Sequence, residues 1–294
     1  MEAIKVEGLT KVFGDVRAVD GLSFTVPFGK VTGFLGPNGA GKTTTLRAIL
    51  GLARPNAGRA TILGRPFHDL DDPVQTVGAL VETAQFHPLR SGRNHLRVIA
   101  GAAGIHDRRV DKSLAAVDLT GAADRKVAGY SLGMKQRLGL AAALLGNPHV
   151  LVLDEPANGL DPAGIRWLRR LLRDLANGGR AVFVSSHLLA EISELADEVV
   201  VIDHGKLVTH APVTELTAQA AGGVRVRTDR PERLRDLLTE QSIDVTLVSH
   251  DELVAATTPQ VVGGVAAAAG IPIYGLDVEQ RSLEDVFFEL TDQA

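Results

Sequence analysis

The run Gly36-Pro37-Asn38-Gly39-Ala40-Gly41-Lys42-Thr43 fits the pattern Gly-x4-Gly-Lys-Ser/Thr. Glycines at this spacing let backbone N–H groups converge on phosphate oxygens, and a helix starting at the end of the loop adds the positive end of its dipole. Lys42 would reach the β- and γ-phosphates of a nucleotide, and the Thr43 hydroxyl would ligate Mg²⁺. A second group is Val150-Leu151-Val152-Leu153-Asp154-Glu155, four aliphatic residues ending in two carboxylates. At the tip of a buried strand, one acid can hold a Mg²⁺ shell while its neighbour polarises an attacking water. The plainer alternatives are a glycine turn in front of an ordinary helix and a solvated strand end. The flanking patterns favour the chemical reading, because the buried run Val31–Leu35 leads into the loop and a helical pattern, Thr43–Leu52, leads out of it.

The elements that must position these groups follow from hydropathy. Val31–Leu35, Val150–Leu153, Ala181–Val184 and Val199–Ile202 are unbroken apolar runs, as expected of strands covered on both faces. Helical patterns such as Ile165–Ala176 separate them, which predicts an α/β fold with a largely parallel sheet. Ile4–Leu9 and Leu22–Val26 alternate like half-buried strands. Residues 83–147 have helical periodicity (Leu96, Val98-Ile99, Leu114, Val117) without a clear buried strand, and read as a mostly helical insert. A boundary is expected at Ala218–Gly223, dividing a domain of residues 1–217 from one of 218–294. Beyond it, strands at Val224–Thr228, Val245–Val248, Leu253–Ala256 and Ile273–Leu276 are expected. Helices at Glu232–Glu240, Pro259–Ala269 and Leu283–Leu290 complete the order of a small split βαβ α+β domain.

Composition narrows the classes of function. The 294 residues are 45% hydrophobic and only 4% aromatic, an ordinary globular mixture with an aliphatic core. With no cysteine, disulfides, thiolate metal sites and cysteine nucleophiles are excluded. No stretch has the 18 or more strongly apolar residues of a bilayer span, and Met1-Glu2-Ala3-Ile4-Lys5 lacks a signal-peptide pattern, so neither crossing nor export of this chain is expected. Residues 218–294 hold 6 Arg, no Lys and 13 acidic residues, a net −7 within an overall −4. A mildly basic body with an acidic tail is no nucleic-acid footprint, and no nucleic-acid partner is expected.

Over residues 2–217 the order of motifs resembles an ATP-binding-cassette (ABC) ATPase. Tyr130-Ser131-Leu132-Gly133-Met134-Lys135-Gln136-Arg137 resembles the family signature, Asn158-Gly159-Leu160-Asp161-Pro162 the D-loop, Ser185-Ser186-His187 the switch-histidine segment, and Lys11-Val12-Phe13-Gly14 the aromatic A-loop. The resemblance implies a P-loop NTPase fold with a RecA-like parallel core, an antiparallel β subdomain and a helical subdomain, and ATP and Mg²⁺ as ligands. By the same likeness Gly36, Pro37, Asn38, Gly39, Ala40, Gly41, Lys42, Thr43 and Thr44 hold the phosphates, and Phe13 stacks on adenine. Asp154 acts through Mg²⁺, Glu155 is the general base, and His187 faces the γ-phosphate. Ser131 and Gly133 would bind the γ-phosphate of a nucleotide held by a second copy, with Asp161 communicating across a head-to-tail dimer.

Two departures stand out. Glu82 occupies the strand-end position where the family has Gln, with Gln85 three residues later, and a carboxylate there can still ligate Mg²⁺. The signature reads Ser-Leu-Gly-Met in place of Ser-Gly-Gly-Gln. Both resemble the subfamily of bacitracin-resistance and daunorubicin-type exporters, as does the tail Ser282-Leu283-Glu284-Asp285-Val286-Phe287. The implied function is the ATPase subunit, on the cytoplasmic face of the membrane, that drives a separate integral-membrane permease for a drug, antibiotic or peptide-like substrate. The alternative is a soluble ABC ATPase serving ribosomes, DNA or cofactor assembly; a single cassette, no coiled-coil insert and an acidic tail weigh against it. His187-x3-Glu191 could pass for a metal pair, but an amphipathic helix face accounts for it better.

Overall fold

The computed structural model describes residues 2–81 and 86–280, and the chain forms two compact units that meet in sequence at Val213/Thr214. The first opens with β1 (Glu2–Phe13), β2 (Val16–Pro27) and β3 (Val31–Leu35), followed by α1 (Lys42–Ile49), β4 (Ala57–Ile62), α2 (Pro73–Thr76) and β5 (Val77–Leu80). Three helices come next, α3 (Gly92–Ala102), α4 (Arg108–Ala116) and α5 (Leu132–Ala143), then β6 (Val150–Leu153) and α6 (Pro162–Asn177). β7 (Ala181–Ser186), α7 (Leu189–Leu195), β8 (Glu198–Asp203) and β9 (Lys206–Pro212) complete it.

These strands make two sheets. A three-stranded antiparallel sheet has the order β2-β1-β4, and a six-stranded sheet the order β5-β6-β7-β3-β8-β9. The larger sheet is parallel from β5 to β8, and β9 closes its edge antiparallel to β8. β3 and β6 are buried at every position, as their unbroken apolar runs require when helices cover both faces. The two sheets share one core, in which the rings of Phe24, Phe34 and Phe183 pack with centroids 5.1–5.5 Å apart. The strand order matters for the site: β7 lies between β3 and β6, so its tip meets both the loop after β3 and the acids after β6.

The helical stretch carries α3, α4 and α5 on a core that includes Leu96, Ala100, Leu114, Val117 and Leu138. Val98 is half exposed, contrary to the periodicity expected for it, because the buried stripe of α3 runs through Gly92, Leu96 and Ala100 at four-residue steps. β4 and β9 were not foreseen. Their small and polar residues lack an apolar pattern, and their ladders are supplied by β1 and β8.

The second unit begins within α8 (Val213–Ala220) and continues through β10 (Ala221–Arg227), α9 (Pro231–Thr239), β11 (Val245–Leu247), β12 (Glu252–Ala255), α10 (Pro259–Ala268) and β13 (Gly275–Gln280). Its sheet is antiparallel throughout, in the order β11-β12-β10-β13, the arrangement of a split βαβ fold. Val224, Val226, Leu234, Leu238, Leu253 and Val262 form its core. The last strand starts at Gly275, where the sequence had placed Ile273–Leu276. Ile271 is buried just after α10, Pro272 has no N–H to give a ladder, and pairing begins with Gly275 opposite Arg227. The helix expected at Leu283–Leu290, and the tail likeness at Ser282–Phe287, lie outside the described residues.

Candidate active site

β3 delivers the chain into the loop 36–41, and α1 begins at Lys42. Gly41 has φ +101°, and a Cβ there would sit 2.3 Å from the Ala18 carbonyl oxygen. A Cβ on Gly36 would approach the Ile202 carbonyl oxygen to 2.4 Å. Only glycine satisfies either position. Ala40 donates its N–H to the Pro37 carbonyl and accepts from Gly205, which pins the loop from both sides. No side chain caps the N-terminus of α1, so its first N–H groups are left for an anion.

Lys42 is the buried cation of the site. Its ammonium donates to the carbonyls of Gly36 (2.6 Å) and Pro37 (3.1 Å) and lies 3.8 Å from Glu155 Oε1. Burial pushes its pKa below the ordinary lysine value, and the charges of Glu155 and Asp154 oppose that shift without cancelling it. The Thr43 hydroxyl donates to Asp154 Oδ2 at 2.8 Å. A hydroxyl and a carboxylate oxygen converging at the start of α1 are hard donors suited to Mg²⁺, which takes one or two protein oxygens and completes its shell with phosphate and water. Thr43 and Asp154 therefore fit the ion. Glu82, named as a further ligand, lies outside the described residues, as does Gln85.

The acid pair follows β6. Asp154 donates its N–H to the Leu80 carbonyl at 2.7 Å, and its carboxylate lies between the hydroxyls of Thr43 and Ser185. Glu155 has φ +48°, a left-handed backbone that a non-glycine residue adopts at a cost. Its Oε2 is 2.9 Å from His187 Nδ1, so the carboxylate lies between Lys42 and His187. The Ser186 hydroxyl donates to Glu191 and accepts from the Leu188 N–H; Glu191 thus serves the turn into α7 and does not pair with His187. Sequence reasoning missed Ser185. The signal was a hydroxyl immediately following the apolar run Ala181–Val184, at the tip of a central strand.

Phe13 stands at the end of β1, 52% exposed, and lines a cleft of about 530 Å³ with Thr44, Arg47, Leu52, Arg54 and Val81. Lys11 Nζ lies 4.7 Å from the Phe13 ring centroid and donates to the Arg54 carbonyl. One ring face is therefore backed by a cation while the cleft adjoins Thr44 of the phosphate loop.

Ser131 and Asp161 are helix N-caps: Ser131 accepts from the Met134 N–H (3.2 Å) and Asp161 from the Gly164 N–H (2.7 Å). Leu132 packs so closely on Gly159 that a Cβ there would come within 2.3 Å of its side chain, and Gly133 faces Leu160. The start of α5 and the start of α6 are thus brought together. Among the described residues no hydrogen bond or ion pair joins Ser131, Gly133 or Asp161 to Gly36–Thr44, so they form a second cluster.

A parallel sheet with a glycine loop and an acid pair at neighbouring strand tips is that of a P-loop nucleoside triphosphatase. A family model described as ABC transporter matches residues 19–158, and one described as a domain of unknown function matches residues 221–284. The chain is 37% identical to the bacitracin transport ATP-binding protein BcrA of Bacillus licheniformis, over 98% of its own length and 96% of that protein. It is 34% identical to the daunorubicin/doxorubicin resistance ATP-binding protein DrrA of Streptomyces peucetius, over 98% and 92%. Among solved structures, an ATP-binding subunit of an ABC transporter superposes with a TM-score of 0.66 at 27% identity, covering 74% of this chain and 92% of that one. The chain belongs to the ATP-binding proteins of ABC transporters: it binds ATP and hydrolyses it.

Proposed function

We propose that this chain drives a separate integral-membrane permease that exports an antibiotic-like or drug-like compound. The observation that carries the reading is near-full-length similarity to proteins named for bacitracin transport and daunorubicin resistance, extending through the second unit as well as the cassette. None of the described helices is long and apolar enough to cross a membrane. In our reading the permease carries the substrate path and this chain sits against its cytoplasmic face. We read residues 1–217, with the helical insert 83–147, as the motor and 218–294 as an accessory domain.

The hydrolytic roles we assign draw support from the geometry. The loop N–H groups and the Lys42 ammonium bind the phosphates, and Lys42 exchanges its carbonyl partners for phosphate oxygens. Phe13 stacks on the base, with Lys11 behind the ring. Glu155 accepts the proton of the attacking water while His187, 2.9 Å from it, fixes the carboxylate and faces the terminal phosphate. Thr43 and Asp154 would hold Mg²⁺, which would supply positive charge against the phosphates, and Glu82 is our further candidate ligand for it. Among the described residues no hydrogen bond or ion pair joins Ser131, Gly133 or Asp161 to the chain's own phosphate loop. That separation fits a head-to-tail dimer in which they complete the site of a second copy.

The test is reconstitution in proteoliposomes with the permease encoded beside it. ATPase activity that rises with added transport substrate, together with ATP-dependent movement of that substrate, is the expected result. An ATPase indifferent to every adjacent membrane protein would contradict the reading.

A further inference from the structure

We propose that Ser185 is a positioning residue for ATP hydrolysis, its hydroxyl tying the Glu155 backbone to the Asp154 side chain and so aiming the Glu155 carboxylate. The inference rests on Glu155 being the base. Ser185 is fully buried, near the end of β7, and its hydroxyl both donates and accepts: it donates to Asp154 Oδ1 and accepts the Glu155 N–H at 2.9 Å.

The consequence lies in the backbone. Strand pairing places Val184 beside Leu153 and Ser186 beside Leu35, so Ser185 stands level with the point where β6 ends. Asp154 still follows the sheet through its N–H to Leu80. Glu155 then turns to φ +48°. An extended Glu155 would continue the side-chain alternation of β6, whereas the left-handed turn directs its carboxylate to His187 and Lys42. A left-handed non-glycine residue persists only where its surroundings over-determine it. Here the hydrogen bond from its own N–H to Ser185 holds the turn from one side, while its carbonyl accepts the Asn158 N–H at 3.1 Å on the other. Among the described residues no hydrogen bond joins Ser185 to Lys42 or His187, so it acts through the two carboxylate residues. The same hydroxyl turns Asp154 Oδ2 toward Thr43.

Without the hydroxyl, the Glu155 N–H loses its buried acceptor and the turn relaxes toward extended backbone. Ser185→Ala is expected to lower kcat about 100-fold, the scale of a misplacement near 1 Å. Its affinity for a fluorescent ATP analogue, measured without turnover, should stay close to the parent value, and its melting temperature should fall by only a few degrees, roughly the cost of one orphaned buried N–H. Ser185→Cys, similar in size but with a weak thiol donor, is expected to fall between the two and serves if the alanine variant does not fold. A kcat unchanged by either substitution overturns the proposal. So does a loss of kcat matched by an equal loss of nucleotide affinity or by collapse of the thermal transition, which is what a purely structural bridge would give. Glu155→Gln measured alongside separates the two ideas. If that variant still turns over, the base assignment fails and the proposal with it; if it is inactive while Ser185→Ala runs at full rate, Ser185 alone is ruled out.

Discussion

At the residue scale the site is organised around one buried lysine. Lys42 has a lowered pKa because its ammonium is taken out of water, and phosphate oxygens favour its charged form. Between the lowered value and the ordinary lysine value, the nucleotide-bound state therefore holds more protons than the free one. ATP affinity should fall as pH rises through that window, and isothermal titration across a pH series reads it. Fold stability moves the other way. The unfolded chain holds the extra proton there, so stability rises with pH as the cost of a buried ammonium disappears. Lys42→Ala should remove nucleotide binding; unchanged affinity would contradict the phosphate-loop assignment.

At the element scale the loop geometry is bought by glycine. Gly41 combines φ +101° with the Ala18 carbonyl where a Cβ would go. Gly41→Ala should destabilise the cassette by roughly 1–3 kcal/mol from backbone strain, with the clash added, and should weaken ATP binding. Thermal unfolding and nucleotide titration together measure it. Much at this scale was legible beforehand. The runs Val31–Leu35 and Val150–Leu153 coincide with β3 and β6 because every position of a strand covered on both faces is buried, the single polar side chain, Thr32, being satisfied by Glu198. The loop and the acid pair were legible because their chemistry demands fixed residue types at fixed spacing. β4 was not, because Ala57, Gly58 and Arg59 are exposed and carry no pattern; its place depends on the partner strand. Ser185 was not, because serine at a strand end has many ordinary uses, and only the lateral order of β6, β7 and β3 brings its hydroxyl between Asp154 and Glu155.

For the whole molecule, one strand order brings Lys42, Asp154, Glu155 and His187 to adjacent tips of a single sheet, while Ser131, Gly133 and Asp161 gather in a second cluster at the starts of α5 and α6. In the proposed function the two clusters are half-sites completed by a second copy, with ATP as the ligand that joins them. The separation of the chain into two units has a chemical side too, since the acidic charge is concentrated after residue 217. The most direct test replaces the base and keeps everything that binds. Glu155→Gln, incubated with Mg²⁺ and ATP, should show no turnover above background and should run as an ATP-dependent dimer by light scattering, reverting to monomer when nucleotide is removed. Turnover at the parent rate, or ATP bound with no change in mass, would contradict the hydrolytic site and the paired half-sites respectively.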